Sequence, residues 1–156
     1  MPPVMTPTDE DYRRLLELRT GLRRFLRWSE RRAEEAGLTP AQHQLLLAIR
    51  GHPDGRGPTV GDVADSLLLR HHSAVGLVDR AAAAGLVERG RDPDSLSVVR
   101  LRLTAKGSAQ LEALSELHIA ELAHLAPTMH ALWDALEHAD GAGRDEDRHP
   151  AARPRD

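Results

Sequence analysis

The stretch LVERGRDPDSLSVVRLRLTAKG, Leu86–Gly107, decides how the rest of the chain is read. Arginines stand on both sides of a break, Arg89 and Arg91 before it and Arg100 and Arg102 after it. The break itself, Asp92-Pro93-Asp94-Ser95, is turn chemistry: proline fixes φ, and aspartate and serine side chains bond nearby backbone amides. Leu86 and Val87 precede it, and Val98, Leu101 and Leu103 follow it. The stretch reads as a β-hairpin with basic arms and a tip that carries no arginine. The arms suit a polyanion, and the bare tip leaves open how such a hairpin would grip one.

Outside the hairpin, helical spacing dominates, with Pro58–Val60 as the one other candidate for strand. Thr8 can cap a helix whose apolar residues (Tyr12, Leu15, Leu18, Leu22, Phe25, Leu26) recur at steps of three and four. Gly37 ends it. Thr39-Pro40-Ala41-Gln42 reads as a capping box with proline at the first helical position, and Leu45, Leu46 and Ile49 make the buried face of that helix. Gly51–Pro58 is a loop by composition. Thr59 opens a short third helix with Val63, Ala64 and Leu67. A turn through Leu68–Arg70 leads to a fourth, His71–Ala84, that buries Ala74, Leu77, Val78 and Ala81 and stops at Gly85. After the hairpin, Thr104 can cap a long fifth helix with Leu111, Leu114, Leu122 and Leu125. Pro127 is expected to restart a sixth with Met129, Leu132, Trp133 and Leu136. From Asp140 the apolar residues run out, and the segment 140–156 is expected to be a disordered tail.

A chain of 156 residues fits one domain, and the absence of cysteine excludes disulfides, thiol redox chemistry and Cys-ligated zinc. No early apolar run resembles a signal peptide and none reaches membrane-spanning length, so a cytoplasmic protein without membrane contact is expected. A net charge of -3 gives no general affinity for nucleic acid, so any such function needs local clustering of arginines. Aromatic residues at 3% argue against stacking platforms for single strands. No phosphate-binding glycine loop or nucleophile motif is present, and no enzyme activity, catalytic residue or cofactor is expected.

Two short helices joined by a tight turn and followed at once by a basic hairpin form a winged helix-turn-helix, whose second helix fits the major groove of duplex DNA. The fold class is therefore mainly α with a small β-hairpin wing (α+β). The pieces LTPAQHQLLLAI, TVGDVADSLLL, SAVGLVDRAAAAGLVER and VRLRLTAKG resemble the MarR family of bacterial transcription regulators, from about Tyr12 to Leu136. The resemblance implies a homodimer intertwined through long N- and C-terminal helices, a palindromic duplex site, and release by a small, often phenolic or anionic effector. Residues 8–36 and 104–139 would then be the dimerisation region and 39–103 the DNA-binding lobe. The apolar stripes of the terminal helices independently ask for a partner chain, since one small lobe cannot cover them.

The sequence departs from the family pattern in three places. Ala81 stands where a large aliphatic is usual. Gly76 replaces a polar or basic reader and weakens its helix locally. Leu96 and Ser97 occupy the place of the wing-tip arginines. The family aspartate matching Asp79 commonly ties to a wing arginine, and Arg91 or Arg100 would be its substitute here.

The candidate DNA contacts are Arg70, His71, His72 and Ser73 at the start of the recognition helix, Arg80 on its outer face, and Arg89, Arg91 and Arg100 on the hairpin arms. Arg24, Phe25, Trp28 and His43 are the candidate effector site, because arginine beside an aromatic suits a small aromatic acid. A core aromatic with a surface arginine is the competing reading. His118, Glu121 and His124 have helical spacing, but the two histidines lie six apart and point away from each other, so no metal site is expected. The expected function is a ligand-responsive, sequence-specific duplex-DNA-binding transcriptional regulator, a repressor acting as a homodimer. The rival is a winged-helix dimer with weakened DNA binding that serves as a ligand-binding or protein-interaction module.

Overall fold

The computed structural model describes residues 6–142, those from 135 on as backbone alone. Five helices and one hairpin follow in the order α1 (Asp9–Glu35), α2 (Pro40–Arg50), α3 (Val60–Ser66), α4 (His71–Ala83), β1 (Val87–Asp92), β2 (Ser95–Leu103) and α5 (Ala105–Ala142). The caps expected from sequence form. Thr39 accepts from the Gln42 amide while the Gln42 side chain accepts from the Thr39 amide, and Thr59 with Asp62 repeats the arrangement at α3. Gly37 and Gly85 end α1 and α4 at positive φ of 78° and 73°, a region that costs an L side chain but not glycine.

The chain divides into two compact units. One comprises Leu26–Ile119; the other is built from residues up to Phe25 together with those from Ala120 on. Helices α1 and α5 each have residues in both units.

In the unit Leu26–Ile119, Leu45, Leu46 and Ile49 of α2 meet Leu77, Val78 and Ala81 of α4 in one buried cluster that also holds Leu86, Val87 and Leu101. Ala74 is buried as well. At roughly 25 cal/mol per Å² of apolar surface removed from water, this cluster is the main source of the lobe's stability. The hairpin is antiparallel, pairing Val87 with Leu103 and Arg91 with Val99, with an irregularity between Arg91 and Asp92. Only two strands make up the sheet among the described residues. Pro58–Val60 is not a strand: the Pro58 carbonyl accepts from the Leu101 amide at 2.8 Å, but proline has no amide to return the bond and Thr59 already begins α3.

The second correction concerns Pro127, which restarts nothing. It sits inside α5, which runs unbroken from Ala105 to Ala142. Proline removes one helical hydrogen bond, but the leucines and alanines around it are strong helix formers and carry the helix past the gap. The helix backbone also continues through Asp140, so the expected tail does not begin there; residues 143–156 lie outside the described part, and Leu136 has only its backbone described. In the second unit, Glu17, Leu22 and Phe25 of α1 face Leu122, Leu125 and Met129 of α5 around a cavity of about 120 Å³. Tyr12, Leu15, Leu16, Leu22, Leu122 and Trp133 of this unit are exposed.

Candidate nucleic-acid interface

The two stretches that read most clearly in sequence, Gly85–Arg89 and Leu103–Gly107, come together at the base of the hairpin. Thr104 donates its hydroxyl to the Gly85 carbonyl at 2.6 Å, its amide to the Leu86 carbonyl at 3.1 Å, and accepts from the Gly107 amide at 3.0 Å. Lys106 donates to the Ala84 carbonyl at the C-terminal end of α4, where a cation meets the negative end of the helix dipole. A Cβ on Gly107 would run into the Leu86 backbone. These contacts fix the wing against the recognition helix.

That helix opens on Arg70, His71 and His72, all exposed, with Ser73 half-buried behind them. Arg70 occupies the N-cap position without a side-chain cap bond, so its guanidinium is not committed to the helix end. Arg80 is exposed. The partner of Asp79 is neither Arg80, Arg91 nor Arg100 but Arg89, at 2.5 Å. Arg89 lies on β1 as the strand leaves the end of α4, whereas Arg91 sits two residues further out and instead donates to the Leu96 carbonyl at 3.4 Å.

Arg100 has a different place from Arg91. Its side chain is 14% exposed and donates from Nε to Asp92 Oδ2 at 2.8 Å and from Nη1 to the Gly57 carbonyl at 3.2 Å. Asp92, buried at 2% side-chain exposure, also accepts from the Asp94 amide, and these bonds hold its carboxyl below the usual carboxylate range. Arg56 of the α2–α3 loop joins this group. It donates to Asp54 through Nε, Nη2 and its own amide, and pairs with Asp92 at 3.4 Å and Asp94 at 3.2 Å. Asp54 is thereby held far below the ordinary carboxylate range, first by the Arg56 side chain and then by its amide.

The tip of the wing is therefore tied to a loop 38 residues away in sequence. Sequence reasoning missed Asp54, Arg56 and Asp92 in this role, because loop composition carries no signal for a distant partner. Leu96, at the tip, is 73% exposed.

The four residues of the candidate effector site fall in both units. Arg24 is exposed and Phe25 lines the cavity in the unit built from the chain ends. Trp28 and His43 lie in the unit Leu26–Ile119, where both meet His118. The His118 ring stands 4.9 Å from Trp28, edge-on, and 4.8 Å from His43. Its Nε2 is hydrogen-bonded to the Ser29 hydroxyl and its Nδ1 to the Leu114 carbonyl, each at 2.7 Å. Burial, and then the neighbouring His118, push the His43 pKa down. The described residues contain no group of three or more histidines, aspartates or glutamates able to hold a metal ion. No helix among them is long and apolar enough to cross a membrane.

A MarR family model matches residues 36–95, which span the helix-turn-helix and the first arm of the wing. A search of curated proteins returned no match. Among solved structures, a MarR family transcription regulator is similar at 25% identity and a TM-score of 0.68, over 87% of this chain and 95% of that one. A MarR family protein from Bacillus stearothermophilus is similar at 24% identity and a TM-score of 0.66, over 87% and 98%. A mutant of Staphylococcus aureus MepR bound to an oligodeoxyribonucleotide shares the fold at 16% identity and a TM-score of 0.59, over 83% and 96%. The helix-turn-helix and the first wing arm thus match the MarR family in sequence, and the fold is similar to that of MarR family transcription regulators over most of the chain's length.

Proposed function

We propose that the protein is a homodimeric, ligand-responsive repressor that binds a palindromic site in duplex DNA in the cytoplasm. The observation that carries the reading is the pairing of an exposed Arg70-His71-His72 helix start with a wing held against the same helix by Arg89. A helix start of this kind fits the major groove, and the wing arm then brings Arg91 to the neighbouring backbone. Arg70, His71, His72, Ser73 and Arg80 are the helix contacts in this reading, and Arg89 and Arg91 the wing contacts. Arg100 serves from within, holding the wing tip rather than touching phosphate. The similarity to a MepR structure bound to an oligodeoxyribonucleotide supports the same reading.

The exposed apolar residues Tyr12, Leu15, Leu22, Leu122 and Trp133 support a second copy covering the terminal helices. Within the unit Leu26–Ile119, the Trp28–His43–His118 cluster is the proposed place for a small aromatic or anionic effector.

The exposed Leu96, where an arginine would serve DNA, favours the rival reading of a module with weakened DNA binding. Selection of a site from random duplexes, followed by titration across a salt series, separates the two. The repressor reading expects a selected palindrome and a log–log salt slope of about 0.9 per phosphate contacted. Replacing Leu96 and Ser97 together by arginine should steepen that slope and tighten binding. Failure to select any site, with no salt dependence, would overturn the reading in favour of the rival.

A further inference from the structure

We propose that the cleft between the α2–α3 loop and strand β2 binds a small organic phosphate, a phosphomonoester dianion. The cleft has a volume of about 360 Å³ and is lined by the end of α2, the loop, β2 and the first turn of α5. That size lies at the lower end of the range for small-molecule sites, roughly 300–1,000 Å³.

Charge points to the class of ligand. Arg50 from α2 and Arg102 from β2 both line the cleft, and both are exposed. Neither guanidinium has an ion pair or hydrogen-bond partner among the described residues, although Glu88 stands directly opposite Arg102 in the ladder. Two planar guanidinium groups brought to one cleft from separate elements match a doubly charged phosphate, which each can meet with paired N–H donors. Ser108 adds a hydroxyl and His52 a ring nitrogen to the lining.

One carboxylate, Asp54, also lines the cleft, but it is already engaged. Arg56 donates to it through Nε, Nη2 and the backbone amide, and Arg100 stands at 3.8 Å, so its charge is countered within the wall. Ile49 and Leu103 supply apolar lining and argue for a ligand with an organic body rather than a bare ion. The cleft lies wholly within the unit Leu26–Ile119. The proposal does not depend on the DNA-binding reading.

The test is a titration of the full chain without DNA. Phenyl phosphate is followed by calorimetry and by amide chemical shifts, with inorganic phosphate and dimethyl phosphate (a monoanionic diester like the nucleic-acid backbone) as separate arms. Saturable binding of phenyl phosphate with Kd below about 1 mM, centred on the amides of Gly55, Gly57 and Leu103, is expected. Replacing Arg50 and Arg102 together by glutamine should weaken it by roughly ten-fold or more, the scale of one lost charge-assisted bond. Each single substitution should weaken it in part, and Arg31→Ala, at an exposed position of α1 outside both proposed sites, should leave it unchanged.

Three outcomes would overturn the proposal. One is the absence of saturable binding. Another is equal binding by the paired variant, shown to be folded by circular dichroism. The third is binding of inorganic or dimethyl phosphate as tight as that of phenyl phosphate, which would make the cleft a simple anion or backbone contact.

Discussion

Arg89 on the first wing strand donates from Nη2 to Oδ1 of Asp79 on the recognition helix, 2.5 Å away. The two side chains are 36% and 59% exposed, so the pair is screened by solvent and adds at most about 1 kcal/mol to stability. Its consequence is geometric: it sets the angle between the two elements proposed to touch DNA. Arg89→Ala and Asp79→Asn should both leave the melting temperature nearly unchanged and both weaken binding to the selected site. If Asp79→Asn tightens binding instead, the pair merely withholds Arg89 from phosphate, and its role in setting the angle of the wing is wrong.

Arg100→Ala tests the other end of the wing. The substitution leaves the buried Asp92 with Arg56 and the Asp94 amide but without its 2.8 Å partner, and it leaves the Gly57 carbonyl without its donor. Removing one member of a buried pair strands the other charge, which makes this change far more costly than loss of an exposed pair. The melting temperature should fall by much more than in Arg89→Ala. Equal, small changes in the two variants would show that the cluster does not hold the wing.

Leu68 occupies the turn between α3 and α4 with φ of 54° and its side chain 92% exposed. The left-handed region costs an L side chain about 1–2 kcal/mol, while glycine adds back roughly 0.5–1 kcal/mol of unfolded-chain entropy. Leu68→Gly should therefore stabilise the protein by up to about 1 kcal/mol, read as a rise of a few degrees in melting temperature. A lower melting temperature would mean that Leu68 makes contacts that its exposure hides, as it would if a second chain covered it.

Two glycines should respond in opposite directions to alanine. At Gly76 in the recognition helix a Cβ would meet only the end of the flexible Arg80 side chain, at 3.3 Å. Gly76→Ala should gain about 0.5–1 kcal/mol of helix propensity. At Gly107 the Cβ would collide with the Leu86 backbone, which cannot move without displacing the base of the wing. Gly107→Ala should yield little folded protein. Comparable yields and melting curves for the two variants would contradict this packing.

Burial of His43, 6% exposed, and the His118 ring beside it set a pH dependence. Its folded-state pKa is lowered, so the native protein holds it neutral. Above the unfolded value, about 6.5, neither state is protonated and the group contributes no pH slope. As the pH falls below that value the unfolded chain takes up the proton first, and stability declines until the lower folded pKa is reached. Denaturant melts of wild type and His43→Gln from pH 8 to 5 should diverge below about pH 6.5, with the wild type losing more. Parallel curves would place the titration elsewhere.

Much of this architecture could be read from local chemistry. Capping boxes at Thr39 and Thr59, stop glycines at 37 and 85, and the Asp92–Ser95 turn act through neighbours only a few residues away, so the sequence alone determined where elements begin and end. The buried faces of α2 and α4 followed from helical period for the same reason. Pro127 misled because its effect is a single lost bond, and whether the helix breaks depends on everything else that holds α5 together.

The partners of charged side chains were decided by the tertiary structure alone. Asp79 meets Arg89 rather than Arg91, Arg100 turns inward to Asp92, and Arg56 reaches the wing tip from a loop whose composition is merely that of a loop. A guanidinium ends a long flexible stem and bonds to whichever carboxylate the fold brings within about 4 Å. That distance depends on how the backbone of distant segments packs, and no local pattern in the sequence encodes it.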